Sequence, residues 1–139
     1  MTRFILDTDM VSLFQRGHPR VVERVLTTEP ASLAVTIITV EEQLRGRLRQ
    51  VHRAKDAHTL VVAYSRFHET LSFFQSIPIL DFDERAASVF EELRKSRIRI
   101  GTLDMRIAAI ALTVGAVVVT RNQRDFGRVP SLVTEDWSV

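Results

Sequence analysis

The sequence contains no cysteine, and its 139 residues include only five glycines and four prolines. Without cysteine there is no disulfide framework, no thiolate metal centre and no thiol nucleophile. The glycines and prolines stand singly, so no linker, repeat or low-complexity tract divides the chain, and a single domain over residues 1–139 is expected. No apolar run approaches the ~20 residues of a membrane span. The opening MTRFILDTD lacks the long apolar stretch and small-residue cleavage site of a secretory leader, so a cytoplasmic location is the expectation. Lysine is scarce too: Lys55 and Lys95 are the only two among 19 basic residues, the others being arginine. Formal net charge is only +2, with a pI near 9.7. Arginine binds phosphate bidentately and stays charged, so nucleic acid is permitted; an ordinary arginine-rich surface explains the composition equally well.

What is present is an alternation of two periodicities. Arg3–Leu6, Leu33–Ile38, Ile77–Leu80 and Ala116–Thr120 read as strands, and Leu132–Thr134 as a weaker one. Helical periods lie between them, over Asp9–Arg16 and Arg20–Leu26, around Val40, Leu44, Leu48 and Val51, and along Ala54–Phe74. Two more surround Ala86–Leu93 and Leu103–Val114, the latter with Gly115 as its C-cap. Strands separated by helices predict a parallel sheet covered on both faces, an α/β domain. The AVVVT run does not alternate, as suits a strand buried on both faces.

Acids recur where these strands end. Asp7 follows the first strand directly, and Glu41 and Glu42 fall in the first turn of the helix after the second. Asp104 opens a helix, and Asp125 lies in a loop beyond the AVVVT strand. Each has a structural explanation: Asp7 as a helix cap, Glu42 in a Thr39-x-x-Glu42 capping box, Asp104 as a partner of the helix dipole, Asp125 as a surface acid. Four independent caps need not meet at one sheet edge, however, and the carboxyl edge of a parallel sheet is where sites form. Clustered carboxylates repel one another unless a cation neutralises them, and a hard divalent ion such as Mg²⁺ or Mn²⁺ takes oxygen ligands of this kind. The four histidines, His18, His52, His58 and His68, have no metal-ligand spacing.

Four stretches together resemble the PIN-domain family, in particular its VapC-like toxin ribonucleases. They are FILDTDMVS at 4–12, ITVEEQLRG at 38–46, IGTLDMRIAA at 100–109, and VVTRNQRDF at 118–126 with its continuation to Trp137. The second register selects Glu42 over Glu41; Asp9 stands where the family often has Asn, and Asn122 and Asp125 compete as the fourth ligand. The resemblance spans residues 3–137. It implies a three-layer α/β/α sandwich with a central parallel sheet and Mg²⁺- or Mn²⁺-dependent hydrolysis of RNA. Asp7, Glu42, Asp104 and Asp125 would be the catalytic and metal-binding acids, with inhibition by a small antitoxin protein. Thr8, Ser12, Thr120 and Asn122 are expected to hydrogen-bond and orient those acids. Arg45, Arg49 and Arg53 follow Glu42 along one helix and are expected to form an RNA track, with Leu44, Leu48 and Val51 buried on another side. Arg121 and Arg124 would extend the track. The stripe from Ala57 to Phe74 exceeds what a small core must bury, leaving surface for the antitoxin or a homodimer.

Two rival readings use the same residues. Asp7-Thr8-Asp9-Met10-Val11 also fits the nucleophile motif of haloacid-dehalogenase-type phosphatases, although no lysine follows Thr39 at the expected place. A PIN-like binding module without catalysis is the non-enzymatic alternative; retention of an acid at all four positions argues against it.

Overall fold

A computed structural model describes residues Met1–Val139. Five short parallel strands form one sheet in the order β3-β2-β1-β4-β5. They are β1 Phe4–Leu6, β2 Leu33–Thr36, β3 Ile79–Leu80, β4 Val117–Val119 and β5 Thr134–Glu135. Seven helices connect them: α1 Thr8–Gln15, α2 Pro19–Thr27, α3 Ile37–Arg53, α4 Ala57–Gln75, α5 Glu84–Lys95, α6 Thr102–Val114 and the single turn α7 Gln123–Phe126.

Alternating strand residues feed two cores, one on each face. Ile5 and Val118 point into a cluster with Phe90, Met105, Ile107 and Ile110 from α5 and α6. Their neighbours Leu6 and Val119 point the other way, toward Met10, Val11, Val21, Phe74 and Trp137. The result is the expected three-layer sandwich. α6 is buried nearly all round, with Met105 and the whole run Ile107–Ala111 inaccessible, and Gly115 ends it at φ 69°, a left-handed conformation costly for any side chain.

Several boundaries differ from the sequence reading. The second strand stops at Thr36 rather than Ile38, because Thr36 caps α3: its Oγ1 accepts from Thr39 N at 3.3 Å. Thr39 therefore sits inside the first turn and is no cap, so the Thr39–Glu42 capping box does not form and Glu42 lies in the second turn. α4 starts at Ala57 behind the cap Asp56, whose carboxylate accepts from Thr59 N at 2.9 Å. β3 is shorter than Ile77–Leu80. The last strand is displaced to Thr134–Glu135, because Leu132 packs onto the α5–α6 core and Trp137, 5.2 Å from the Phe4 ring, anchors the segment behind it. Asp125 lies in α7, not in a loop. Finally, Leu48 is exposed rather than buried: α3 turns Ile38, Thr39 and Gln43 inward, and Leu48 faces solvent.

Candidate active site

The order β3-β2-β1-β4-β5 reverses direction between β1 and β4, and in open parallel sheets sites form beyond the carboxyl ends of the strands at such a point. Asp7 and Thr120 are the residues immediately after those two strands. They close on each other: Asp7 N donates to Val119 O at 2.9 Å, and Thr120 Oγ1 donates to Asp7 Oδ2 at 2.8 Å. The other Asp7 oxygen accepts from Thr8 N at 2.7 Å, so Asp7 does begin α1 as a cap. Asp7 is 6% exposed.

The remaining residues assemble around this pair. Thr8 Oγ1 donates to Glu42 Oε1 at 2.7 Å and lies 3.2 Å from Thr39 Oγ1, tying α1 to the second turn of α3. Ser12 Oγ accepts from Gln43 Nε2 at 2.9 Å one helical turn further along. Across the crevice Asn122 Nδ2 bridges two acids, Asp125 Oδ2 at 3.1 Å and Asp104 Oδ2 at 3.4 Å, while its backbone N–H donates to Thr120 Oγ1 at 2.9 Å. Asn122 and Asp125 thus stand side by side. Asp104 occupies the first turn of α6, where the helix dipole favours it, but Gly101 is the cap and takes no side-chain bond.

The electrostatics are one-sided. Burial, with the charge of nearby Asp9, pushes the Asp7 carboxyl up to about 7 against the opposing hydrogen bonds from Thr120 and Thr8. Burial together with the charges of Glu42, Asp125 and Asp9 pushes Asp104 up to about 6. No lysine or arginine forms a salt bridge with Asp7, Asp9, Glu42 or Asp104; Asp125 alone meets one, Arg128 at 3.6 Å. The cluster is an excess of negative charge held by neutral donors, an arrangement that favours a cation or a bound proton.

Asp9 belongs to this cluster although the sequence pointed to it only as an extra acid. Its Oδ2 accepts from Arg121 N at 3.1 Å, its Oδ1 is buried with no partner, and burial raises its pKa. The Asp-x-Asp spacing after an apolar strand was the available signal. Gln43 gave none, because its contact with Ser12 depends on how α1 and α3 pack.

The donors suit a hard divalent ion. They are all oxygens, none but Asp125 has a salt-bridging cation, and one is a buried orphan. No three acidic or histidine side chains stand close enough together to hold an ion among themselves, so an ion here would be held by one or two carboxylates with water and phosphate completing its shell, as is usual for Mg²⁺. The histidines stay out of the cluster; His18 caps α2, its Nδ1 accepting from Val21 N at 3.4 Å.

Of the arginines on α3, Arg45 is engaged by Glu41 at 2.6 Å. Arg45, Arg49 and Arg53 line the outer side of α3 with Leu44, Leu48 and His52. Glu42 faces the opposite groove, toward Ser12, Gly46, Arg47 and Gln50.

A PIN domain family model matches residues 4–132. The tRNA(fMet)-specific endonuclease VapC of Shigella flexneri is 28% identical over 142 aligned positions, covering 99% of this chain and 100% of that protein. The DNA-bound VapBC of Salmonella typhimurium superposes with a TM-score of 0.82 at 26% identity, covering 99% of both chains. A toxin–antitoxin complex from Klebsiella pneumoniae shares the fold, with a TM-score of 0.70 at 21% identity over 94% of this chain and 95% of its own.

Proposed function

The chain belongs to the PIN domain family, and we propose from that premise that it is a divalent-metal-dependent endoribonuclease, the toxin of a toxin–antitoxin pair. The observation that carries the chemistry is the convergence of Asp7, Asp9, Glu42, Asp104 and Asp125 at the sheet's switch point with a single salt-bridged member. The substrate class is supported by the named activity of the Shigella relative over the full length of both chains.

Asp7, Glu42 and Asp104 would hold Mg²⁺ or Mn²⁺, directly or through water, with Asp125 and Asn122 completing the rim. When bound, the ion would make a coordinated water acidic enough to attack near neutral pH and would offset charge on the scissile phosphate. The chain's own residues supply the geometry. Thr120 and Thr8 N fix both Asp7 oxygens, Thr8 Oγ1 fixes Glu42, and Asn122 spaces Asp104 from Asp125. The phosphatase reading loses support here. That chemistry uses a lysine beside the nucleophile, whereas Lys55 lies between α3 and α4, Lys95 ends α5, and neither forms a salt bridge with the clustered acids.

The antitoxin reading is supported by the VapBC neighbour and by an unpartnered apolar face. Along α3 and α4, Leu48, Leu60, Val61, Tyr64 and Leu71 are all exposed. A homodimer would cover the same surface. No helix is long and apolar enough to cross a membrane, and a ribonuclease toxin would meet its RNA in the cytoplasm.

Incubating the purified protein with total RNA in Mn²⁺ or in EDTA tests this reading. Cleavage confined to Mn²⁺ is expected; cleavage in EDTA, or none in either condition, contradicts it.

A further inference from the structure

A second site lies beside the acid cluster. Between α1, α3 and α4 is a cavity of about 580 Å³ with no apolar residue on its wall. Three guanidinium groups border it, from Arg16 on α1, Arg47 on α3 and Arg66 on α4. None is in a salt bridge, and Glu69, the one carboxylate on the wall, pairs with none of them. Arg47 is held in place: its Nε donates to Thr70 Oγ1 at 2.9 Å and its Nη1 to Gln50 Oε1 at 3.3 Å, while Thr70 Oγ1 donates in turn to Arg66 O at 2.9 Å. Burial and the neighbouring Arg66 charge disfavour the charged form of Arg47, with Glu69 opposing them in part. Three guanidinium groups facing a single carboxylate leave an excess of positive charge, which favours an anion.

The cavity adjoins a second one that reaches Glu42, one of the clustered acids. This smaller cavity of about 140 Å³ shares Ser12, Arg47 and Gln50 with the first and has Glu42 on its own wall. Gly46 lies on the wall of the smaller cavity. It sits inside α3, where glycine costs helix stability, yet a Cβ placed there would meet no atom within 4 Å. Packing within the chain therefore does not require glycine at 46. A ligand passing along the helix would use the open space.

We propose that the cavity framed by Arg16, Arg47 and Arg66 binds a backbone phosphate of the RNA other than the scissile one, and that Gly46 keeps the path from Glu42 open. This rests on the ribonuclease reading and adds to it a strand direction, inward between α3 and α4 rather than along the Arg45–Arg49–Arg53 side. An acidic protein segment is the competing occupant. The polar wall and the adjoining cavity that reaches Glu42 favour phosphate.

The test measures binding of a 16-nucleotide single-stranded RNA in EDTA across a salt series, for the parent and for Arg47→Gln, Arg66→Gln and Gly46→Leu. Arg66 is exposed, so its substitution leaves the fold intact, and Gly46→Leu replaces a poor helix former with a good one. Each arginine variant is expected to bind roughly tenfold more weakly, with a salt slope lower by about 0.7 per lost contact. In Mn²⁺, KM should rise while kcat stays near the parent's. Gly46→Leu should weaken RNA binding without lowering the melting temperature. If the parent cleaves RNA but the variants match its affinity and slope, this inference is overturned and the ribonuclease reading stands. A parent that neither binds nor cleaves RNA overturns both. Variants that lose only the binding of a poly-glutamate peptide would assign the cavity to a protein segment and overturn the proposal.

Discussion

Replacing Asp7 by Asn should make the metal-free protein more stable at pH 8 while abolishing its activity. Asp7 ionises near 7 in the fold against 3.8 ordinarily, chiefly because it is buried. A carboxyl whose folded pKa is raised takes up more protons in the folded state than in the unfolded chain, so stability falls as pH rises between those two values and levels off above the higher one. At about 1.4 kcal/mol per pH unit, ionising Asp7 costs the fold on the order of 4 kcal/mol. Asp104, raised to about 6, adds to the loss with the same sign. Asparagine removes the Asp7 cost and keeps the shape: its carbonyl oxygen can still accept from Thr8 N, and Thr120 Oγ1 can accept from the new amide. Urea denaturation in EDTA at pH 4, 6 and 8 reads the difference. The two proteins should converge at pH 4, and at pH 8 Asp7→Asn should lead by about 2–4 kcal/mol, roughly 10 °C in melting temperature for a domain of this size. Adding Mn²⁺ should raise the parent's melting temperature and narrow that gap. A parent whose stability does not change between pH 4 and 8, or an Asp7→Asn protein less stable than the parent at pH 8, would refute the reasoning.

Other expectations follow from single contacts. Asp125→Asn should reduce RNA cleavage less than Asp104→Asn, because Asp125 already pairs with Arg128 whereas Asp104 has no salt-bridge partner; equal losses in a side-by-side rate assay would contradict that ranking. Thr8→Val should lower activity by freeing Glu42 from its 2.7 Å bond while retaining the parent's circular dichroism, and unchanged kcat would show that Glu42 needs no such support. Trp137→Ala should cost about 3–5 kcal/mol in chemical denaturation, since the ring is 1% exposed and packs on Phe4 and beneath Arg24; a loss under 1 kcal/mol would mean the C-terminal segment is not anchored there. Expression without a partner should arrest growth, and Asp7→Asn should abolish the arrest.

Much of this site was legible because strand ends are local features. FIL-Asp7 and VVV-Thr120 mark where two buried strands stop, and once the strands are parallel both residues must lie at one edge. The adjacency of β1 and β4, which brings Asp7 within 2.8 Å of Thr120, depends on topology across more than a hundred residues. The start of α3 is ambiguous in the sequence because Ile37 and Ile38 look like strand while Thr36 acts as a cap, and both Thr36 and Thr39 offer a capping hydroxyl. Leu48 shows the limit of periodicity, which marks an apolar face without saying whether the chain itself covers it. The Arg16–Arg47–Arg66 cavity was invisible for a similar reason: its three arginines come from three helices whose packing no local pattern encodes.

The most direct measurement is the rate of RNA cleavage as a function of Mn²⁺ concentration for the parent, Glu42→Gln and Asp104→Asn. If these acids hold the ion, each variant should need a higher Mn²⁺ concentration to reach half its maximal rate, and EDTA should silence all three. A half-saturating concentration unchanged by both substitutions would contradict the account.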